Sequence, residues 1–218
     1  YYLKRGNSMS NNVEEKILHG TTTVAIKVKE GVVLCADMRA SAGYFIANNN
    51  TMKIQKIEKH AGLTLAGGVA DAQNIVDVLR YHANVHRIQN QEPIPIRSLS
   101  RLTSLMFHQN RGYPFIADIL VGGYDNQGPQ LFNIDMFGSV EEKNYVTTGS
   151  GSPVAYGLLE EEYHDNLTLD DAKSVALRAV KAAITRNIGT GDGINVALID
   201  KNGFRLLENE RKKAVLDI

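Results

Sequence analysis

Polar and apolar side chains alternate along the chain from residue 22 onward. One side of this extended segment carries β-branched residues, namely Thr22, Val24, Ile26 and Val28. A period of two is typical of a β-strand, and a Glu30-Gly31 turn separates this strand from the apolar run 32–36, so the pattern predicts a β-hairpin. Further strand patterns cover residues 43–47, 53–57, 63–66, 115–122, 130–135, 144–147, 194–199 and 204–207.

Helical spacing replaces the alternation in two pairs of segments. Apolar residues recur there every three or four positions, which is typical of amphipathic helices. The predicted helices cover residues 75–86, 99–106, 153–164 and 169–186. Thr168 followed by Asp171 indicates an N-cap with an acidic first turn at the start of the last helix.

The predicted elements follow one another as sheet, helix pair, sheet, helix pair, sheet. Such segregated blocks favour an α+β fold over a parallel βαβ fold. Each sheet must bury one face, and each helix pair has one apolar stripe to cover. We therefore predict a four-layer αββα sandwich, with two stacked antiparallel sheets flanked by helix pairs.

Composition and charge restrict the possible partners. The chain has 218 residues, 43% of them apolar, which suits one domain with a sizeable core. Equal numbers of basic and acidic residues, 24 each, give no electrostatic case for binding nucleic acid or an anionic membrane. We find no membrane span or signal peptide in the sequence. The single cysteine, Cys35, fits a reducing, cytoplasmic setting.

Residues 1–20 are polar and mixed in charge, and they end at Gly20. Cutting the bond between Gly20 and Thr21 would leave a threonine with both a hydroxyl nucleophile and a free α-amine. That amine has an ordinary pKa of about 7.7 to 8, so it can take the proton of the hydroxyl. We expect residues 1–20 to be a propeptide and residues 21–218 a single peptidase domain. A turn glycine before a strand is the alternative.

Three charged residues are candidates for activating this threonine. The nucleophile needs a nearby cation, and the cation needs an anion that fixes it. Asp37 follows the apolar strand 32–36 and Lys53 begins the next clear strand, so in adjacent strands both would point toward Thr21. Arg39 is the third candidate, and a surface salt bridge is the alternative.

Two glycine-rich segments can supply backbone donors. A tetrahedral intermediate needs unencumbered N–H groups, and Gly67-Gly68 lies at a strand end just before a helix. A tight turn explains the same pair. Residues 149–153 offer hydroxyls and N–H groups before another helix, with Pro153 predicted as its first residue, although a capped loop explains them equally well.

Two other motifs do not support a cofactor or a metal. Residues 189–193 lack the last glycine of a dinucleotide fingerprint and precede a strand instead of following one. His82 and His86 have the spacing of metal ligands on a helix, but no third ligand is evident. We therefore expect neither a cofactor nor a metal ion.

Taken together, these motifs resemble the β subunits of archaeal 20S proteasomes from Thr21 to about Leu207. The resemblance rests on GTTTV at 20–24, ADMRA at 36–40, KI at 53–54, LAGGVADA at 65–72, GSGSP at 149–153 and YGLLE at 156–160. It implies the αββα sandwich of N-terminal nucleophile hydrolases. It also implies threonine-type endopeptidase activity on unfolded polypeptides, together with autocatalytic removal of the propeptide after Gly20.

The resemblance assigns a role to each matching residue. Thr21 would be the nucleophile and its freed amine the base. Lys53 would tune the pKa of the nucleophile, Asp37 would orient Lys53, and Arg39 would support this network. The Gly67 N–H would stabilise the oxyanion, and Ser150 belongs to the same implied site.

One motif departs from the family pattern. Where the family has Arg-Asp-x-x-Ser-Gly, this chain has Asn187 in place of the aspartate and Thr190 in place of the serine. Thr190 keeps a hydroxyl, whereas Asn187 lacks a charge near Thr21. Loss of that charge lowers the pKa of the Thr21 amine, so we expect slower self-processing or altered activity.

The resemblance also locates the first specificity pocket. Its side chains are small, apolar or uncharged: Ala40, Thr51, Leu65, Val69 and Gln73. A pocket without an ionised group cannot offset the desolvation of a charged side chain. We therefore expect cleavage after apolar or aromatic residues.

The resemblance further implies a heptameric β ring stacked against α rings, supplied with unfolded proteins by a regulatory ATPase. Two alternatives remain open at this point. One is a bacterial HslV-type threonine peptidase, and the other is a non-catalytic or latent structural subunit of the same ring. A chain that starts at Thr21 in the assembled particle would indicate active processing.

Overall fold

The computed structural model describes residues 20–207, with the side chains of residues 69–72 left out, so the predicted propeptide before Gly20 lies outside the described residues. The strands are β1 (Thr23–Val28), β2 (Gly31–Asp37), β3 (Ala40–Ala42), β4 (Phe45–Asn48), β5 (Ile54–Glu58), β6 (Ala61–Gly67), β7 (Ala117–Asp125), β8 (Gly128–Ile134), β9 (Val140–Glu142), β10 (Tyr145–Thr148), β11 (Ile194–Asp200) and β12 (Gly203–Leu206). The helices are α1 (Val69–Asn90), α2 (Ile96–Gln109), α3 (Ser152–Glu162) and α4 (Leu169–Arg186).

Two five-stranded antiparallel sheets form the centre of the molecule. The first sheet has the order β10-β1-β2-β11-β12, and the second has the order β5-β6-β7-β8-β9. Strands β3 and β4 form a separate hairpin. The first sheet therefore combines segments from both ends of the described chain, which brings residues near 21, 37 and 194 together.

Three buried apolar clusters separate four layers. Helices α3 and α4 cover one face of the first sheet through residues such as Val24 and Val180. Leu34 and Leu120 belong to the cluster between the two sheets. Helices α1 and α2 cover the outer face of the second sheet, where Phe107 is fully buried. The predicted αββα sandwich is therefore confirmed.

The element boundaries differ from the sequence pattern in a few places. Strands β3 and β9 were not predicted, because three residues are too few to show an alternation. Gly151 is the N-cap of α3, so Pro153 is the second helical residue and not the first. The predicted cap of α4 is present, since the Thr168 hydroxyl accepts the N–H of Asp171 at 3.1 Å.

Among the described residues, no helix is both long enough and apolar enough to cross a membrane. Cys35 is buried within the first sheet, where it packs with the cluster under α3 and α4. Its environment is that of a small apolar side chain.

Candidate active site

The candidate site lies at one end of the two stacked sheets. Thr21 lies two residues before the start of β1, and Asp37 is the last residue of β2. The pairing of Asp37 with Ile194 brings the start of β11 to the same place. Lys53 directly precedes β5, which belongs to the second sheet. The prediction that Asp37 and Lys53 lie in adjacent strands is therefore wrong, because they face each other across the two sheets.

A buried ion pair connects the sheets at this end. The Lys53 Nζ atom lies 2.6 Å from Oδ1 of Asp37, and their side chains are only 5% and 0% exposed. The Asp37 Oδ1 atom also accepts the N–H of Thr22 at 2.9 Å. Its Oδ2 atom accepts the N–H groups of Arg39 at 3.1 Å and Gly191 at 3.0 Å. The Asp37 carboxylate therefore accepts four hydrogen bonds, and the buried pair is not a surface salt bridge.

Burial dominates the electrostatics of this pair. It lowers the pKa of the Lys53 ammonium below its ordinary value, and the Asp37 carboxylate opposes that shift. Burial likewise raises the pKa of the Asp37 carboxyl, against the effects of Lys53 and of the Thr22 and Gly191 N–H groups. Lys53 consequently gives up its proton more readily than an exposed lysine.

Thr21 is buried next to this pair, with 4% of its surface exposed. Its hydroxyl donates to the Gly20 carbonyl at 2.7 Å. The Thr21 N–H donates to the Ser150 hydroxyl at 3.3 Å, and its carbonyl accepts the N–H of Gly151 at 3.2 Å. A side chain at position 149 would come within 2.3 Å of the Thr21 carbonyl oxygen, so glycine is required there.

Asn187 connects Ser150 to the loop before β11. Its Oδ1 atom accepts from the Ser150 hydroxyl at 3.0 Å, the Gly189 N–H at 3.0 Å and the Thr190 hydroxyl at 3.1 Å. Its Nδ2 atom donates to the Ser150 carbonyl at 3.1 Å, a bond that an aspartate cannot make. The Thr190 and Thr22 hydroxyls lie 2.8 Å apart. The Asn187 side chain therefore accepts three hydrogen bonds in this network and donates one.

The Arg39 side chain forms its ion pair with Asp192 and not with Asp37. Its guanidinium forms a bidentate pair with Asp192, with distances of 2.8 Å and 3.1 Å, and donates to the Ile188 carbonyl at 2.9 Å. Arg39 thus supports the network through its backbone N–H and by fixing the loop that carries Gly191. Sequence reasoning missed Asp192, whose φ of 65° is the left-handed conformation.

Gly67 ends β6 with a φ of 128°, a conformation that favours glycine. A Cβ atom there would also lie 2.0 Å from the Ile116 carbonyl oxygen. The Gly68 N–H already donates to Ile116 O at 2.8 Å. Of this glycine pair, Gly67 is therefore the remaining candidate for an oxyanion donor.

A cavity of about 630 Å³ opens beside Thr21, Lys53 and Gly67. Four of the predicted pocket residues line it, namely Ala40, Thr51, Leu65 and Gln73. The side chain of the fifth, Val69, lies outside the described residues.

The expectation of a pocket without ionised groups is wrong for this cavity. Lys53 lines the cavity, as do Asp77 and Arg80 on α1. The latter two follow Gln73 at helical spacing, so they share one face of that helix. Asp77 is 79% exposed at its side chain, and the Arg80 guanidinium donates to the Lys56 carbonyl at 2.8 Å. These two charges are therefore partly solvated.

Among the side chains that the structure describes, no group of three or more His, Cys, Asp or Glu residues is arranged to hold a metal ion. The groups available at this site are a hydroxyl beside the Gly20–Thr21 peptide bond, a buried lysine and several fixed backbone N–H donors. These are the components of nucleophilic acyl transfer.

Comparison with known proteins agrees with this arrangement. The family model described as "Proteasome subunit" matches residues 17–199. The chain belongs to the proteasome subunit family. It is 80% identical over 210 residues to "Proteasome subunit beta 2" of Nitrosopumilus maritimus, covering 96% of this chain and 100% of the relative. It is 82% identical over 208 residues to "Proteasome subunit beta 2" of Cenarchaeum symbiosum, covering 95% and 99% of the two chains.

A more distant relative gives the same result. "Proteasome subunit beta 1" of Saccharolobus islandicus is 48% identical over 210 residues, which cover 96% of this chain and 98% of the relative. By homology, this proteasome subunit is a β subunit of archaeal type. Such subunits assemble into the 20S particle with other subunits and are generally threonine proteases. The similarities do not favour the HslV-type alternative.

Proposed function

We propose that this β subunit is a threonine-type endopeptidase of the 20S core particle, with the Thr21 hydroxyl as its nucleophile. The observation that carries the proposal is the buried Lys53–Asp37 pair, 2.6 Å apart, whose Lys53 lines the same cavity as Thr21. An ion pair is costly to bury in a core because both charges lose their hydration. Its position beside a threonine that follows a glycine supports a catalytic role.

Self-processing comes first in the proposed mechanism. The Thr21 Oγ1 atom attacks the Gly20 carbonyl carbon and forms an ester as the Gly20–Thr21 peptide bond breaks. The hydroxyl proton moves to the Thr21 nitrogen. Water then hydrolyses the ester, which releases residues 1–20 and leaves Thr21 with a free hydroxyl and a free α-amine.

Substrate cleavage uses the same atoms. The α-amine takes the proton of the Thr21 hydroxyl, whose oxygen attacks the substrate carbonyl carbon to give an acyl-enzyme, and the proton passes to the departing amino group. Water then hydrolyses the ester, which releases the acid and restores Thr21. The Lys53 ammonium disfavours a protonated α-amine by like-charge repulsion. The Gly67 N–H stabilises the oxyanion, while Ser150, Asn187 and Thr190 orient the Thr21 nitrogen.

The N-terminus of the assembled subunit tests this proposal. Intact mass should show a chain beginning at Thr21, together with hydrolysis of fluorogenic peptides. Thr21→Ala should leave the Gly20–Thr21 bond uncut and abolish hydrolysis, whereas Thr21→Ser should keep both reactions measurable because it keeps the hydroxyl. An assembled wild-type subunit that retains residues 1–20 and hydrolyses nothing would instead support the latent or structural alternative.

The cavity beside Thr21 is proposed to receive the side chain before the scissile bond. Ala40 and Leu65 supply its apolar walls, while the charges of Asp77 and Arg80 are partly solvated. We expect peptides ending in Tyr or Leu to give a kcat/KM at least tenfold above peptides ending in Asp or Arg. Faster cleavage of either charged peptide in the same assay would contradict the proposed preference.

The particle architecture is part of the proposal. We propose a heptameric β ring stacked on α rings in the cytoplasm, with substrates unfolded and delivered by a regulatory ATPase. Enclosure of Thr21 in such a chamber would restrict cleavage to unfolded chains.

A further inference from the structure

Ser41 makes a hydrogen bond that the proposed mechanism does not yet use. Its Oγ atom accepts the N–H of Gly20 at 2.7 Å, across 21 positions of sequence. Ser41 lies in β3 and is only 5% exposed, so this hydroxyl is shielded from solvent. The residue that supplies the acyl group of the scissile bond is therefore held by a buried side chain.

Gly189 restrains Gly20 by direct backbone contact. A Cβ atom at position 20 would lie 2.1 Å from the Gly189 Cα atom, and a Cβ atom at position 189 would lie 2.4 Å from the Gly20 Cα atom. Gly189 is itself fixed, because its N–H donates to Asn187 Oδ1 at 3.0 Å. The Gly20 backbone is thus restrained by Gly189 as well as by the Ser41 hydroxyl.

This restraint matters because glycine otherwise has the greatest backbone freedom of any residue. Attack on the Gly20 carbonyl needs one orientation of that carbonyl, and the Thr21 hydroxyl already lies 2.7 Å from its oxygen. Holding the Gly20 N–H fixes the peptide unit on the other side of the same residue. Such positioning lowers the entropic part of an intramolecular barrier.

We propose that Ser41 is a positioning residue for self-cleavage, acting on Gly20 and only while Gly20 is attached to Thr21. This inference rests on the proposed function. It predicts that the Ser41 hydroxyl affects the maturation of the subunit more than its later peptide hydrolysis, because the Gly20 N–H leaves with the propeptide.

The rate of maturation tests this role. The full chain is assembled with a proteasome α subunit, and cleavage after Gly20 is followed by intact mass over time. Ser41→Ala should slow cleavage about three- to tenfold, the range that one neutral hydrogen bond sustains. Ser41→Thr, which keeps the hydroxyl, should be faster than Ser41→Ala. If Ser41→Ala does not assemble, Ser41→Cys replaces it, because sulfur is a weak acceptor of similar size.

Ser100→Ala is the matched control for loss of a buried hydroxyl. Ser100 is fully buried in α2, where its hydroxyl donates to the Ile96 carbonyl at 3.0 Å. This variant should cleave after Gly20 at the wild-type rate. The proposal for Ser41 would be overturned if the variant without the hydroxyl cleaved after Gly20 at the wild-type rate. It would also be overturned if Ser41→Thr slowed cleavage as much as that variant does.

A second measurement separates positioning from a general structural effect. Each variant is also produced as a chain that already begins at Thr21, and its kcat on a fluorogenic peptide is measured. The loss in maturation rate should exceed the loss in kcat at least threefold, and equal losses would overturn the proposal. A wild-type chain that never cleaves after Gly20 and shows no hydrolysis when it begins at Thr21 would instead overturn the proposed function.

Discussion

Asn187 stands where the family pattern has an aspartate, so it lacks a negative charge but still accepts hydrogen bonds. Its amide oxygen accepts three hydrogen bonds, and its amide nitrogen donates to the Ser150 carbonyl. The expected effect of the missing charge therefore concerns the electrostatics at Thr21 more than the geometry of the loop. Ser150 connects Thr21 to Asn187, because its hydroxyl accepts the Thr21 N–H and donates to Asn187 Oδ1.

Asn187→Asp should raise the pKa of the Thr21 α-amine in the processed subunit. A carboxylate about two hydrogen bonds away stabilises the protonated amine, so less free base remains at neutral pH. The acid limb of the pH profile of kcat/KM should move up by about 0.5 to 1 pH unit, and the maturation rate should change as well.

Asn166→Asp is the control for this pH shift. Asn166 is exposed and contacts Lys29, at the end of the first hairpin that lies away from Thr21. Asn166→Asp should leave the acid limb of the pH profile of kcat/KM unchanged. An unchanged profile and maturation rate in Asn187→Asp would show that the missing charge has no consequence.

Sequence reasoning found those site residues that lie within short, distinctive motifs. Thr21 and Lys53 occur in such segments, and the structure brings both to one cavity. Asp192 and Ser41 were missed because their partners are remote: Arg39 is 153 positions from Asp192, and Gly20 is 21 positions from Ser41. No local pattern records a contact that exists only after the chain has folded.

At the scale of elements, helix α4 joins the outer layer to the first sheet. It packs against β1, β2 and β11, and its N-terminus is capped by Thr168. Thr168→Ala should lower the free energy of unfolding by about 1 kcal/mol, because one N–H of the first turn loses its acceptor. Urea unfolding of the isolated chain measures this difference.

Thr185→Ala provides the comparison for this prediction. Thr185 lies in the last turns of the same helix, is exposed, and bonds only to the Lys181 carbonyl within the helix. It should change the unfolding free energy by less than about 0.5 kcal/mol. Equal losses in the two variants would show that the cap contributes nothing specific.

The periodicity predicted the longer elements but not their pairing. Strand β10 pairs with β1, which lies about 120 positions earlier in the chain, and β11 pairs with β2. Alternation indicates which face of a strand is buried, but it does not identify the neighbouring strand. For that reason Asp37 and Lys53 were placed in adjacent strands, although they belong to opposite sheets.

At the scale of the whole molecule, the tip of the β3–β4 hairpin is prominent. Tyr44 is 97% exposed and Phe45 is 72% exposed, although both are large and apolar. Complete burial of such a side chain in an interface stabilises the complex by about 1.5 to 3 kcal/mol. Because subunits of this family assemble into the 20S particle, we expect this tip to be a subunit contact.

A double substitution tests this contact. Tyr44→Ser combined with Phe45→Ser should raise at least tenfold the subunit concentration needed for half-maximal assembly, measured by native mass spectrometry. The thermal unfolding midpoint of the isolated chain should stay the same, because neither side chain is buried there. Normal assembly of the double variant would show that the hairpin tip faces solvent in the particle.

The ion pair across the sheets also makes the proposed activity depend on complete folding. Asp37 comes from one sheet and Lys53 from the edge of the other, so a nascent or half-folded chain does not possess the pair at all. On the proposed mechanism, cutting ability therefore arrives only with the finished tertiary structure. On the same mechanism, a misfolded copy that lacks the pair would not cleave neighbouring proteins.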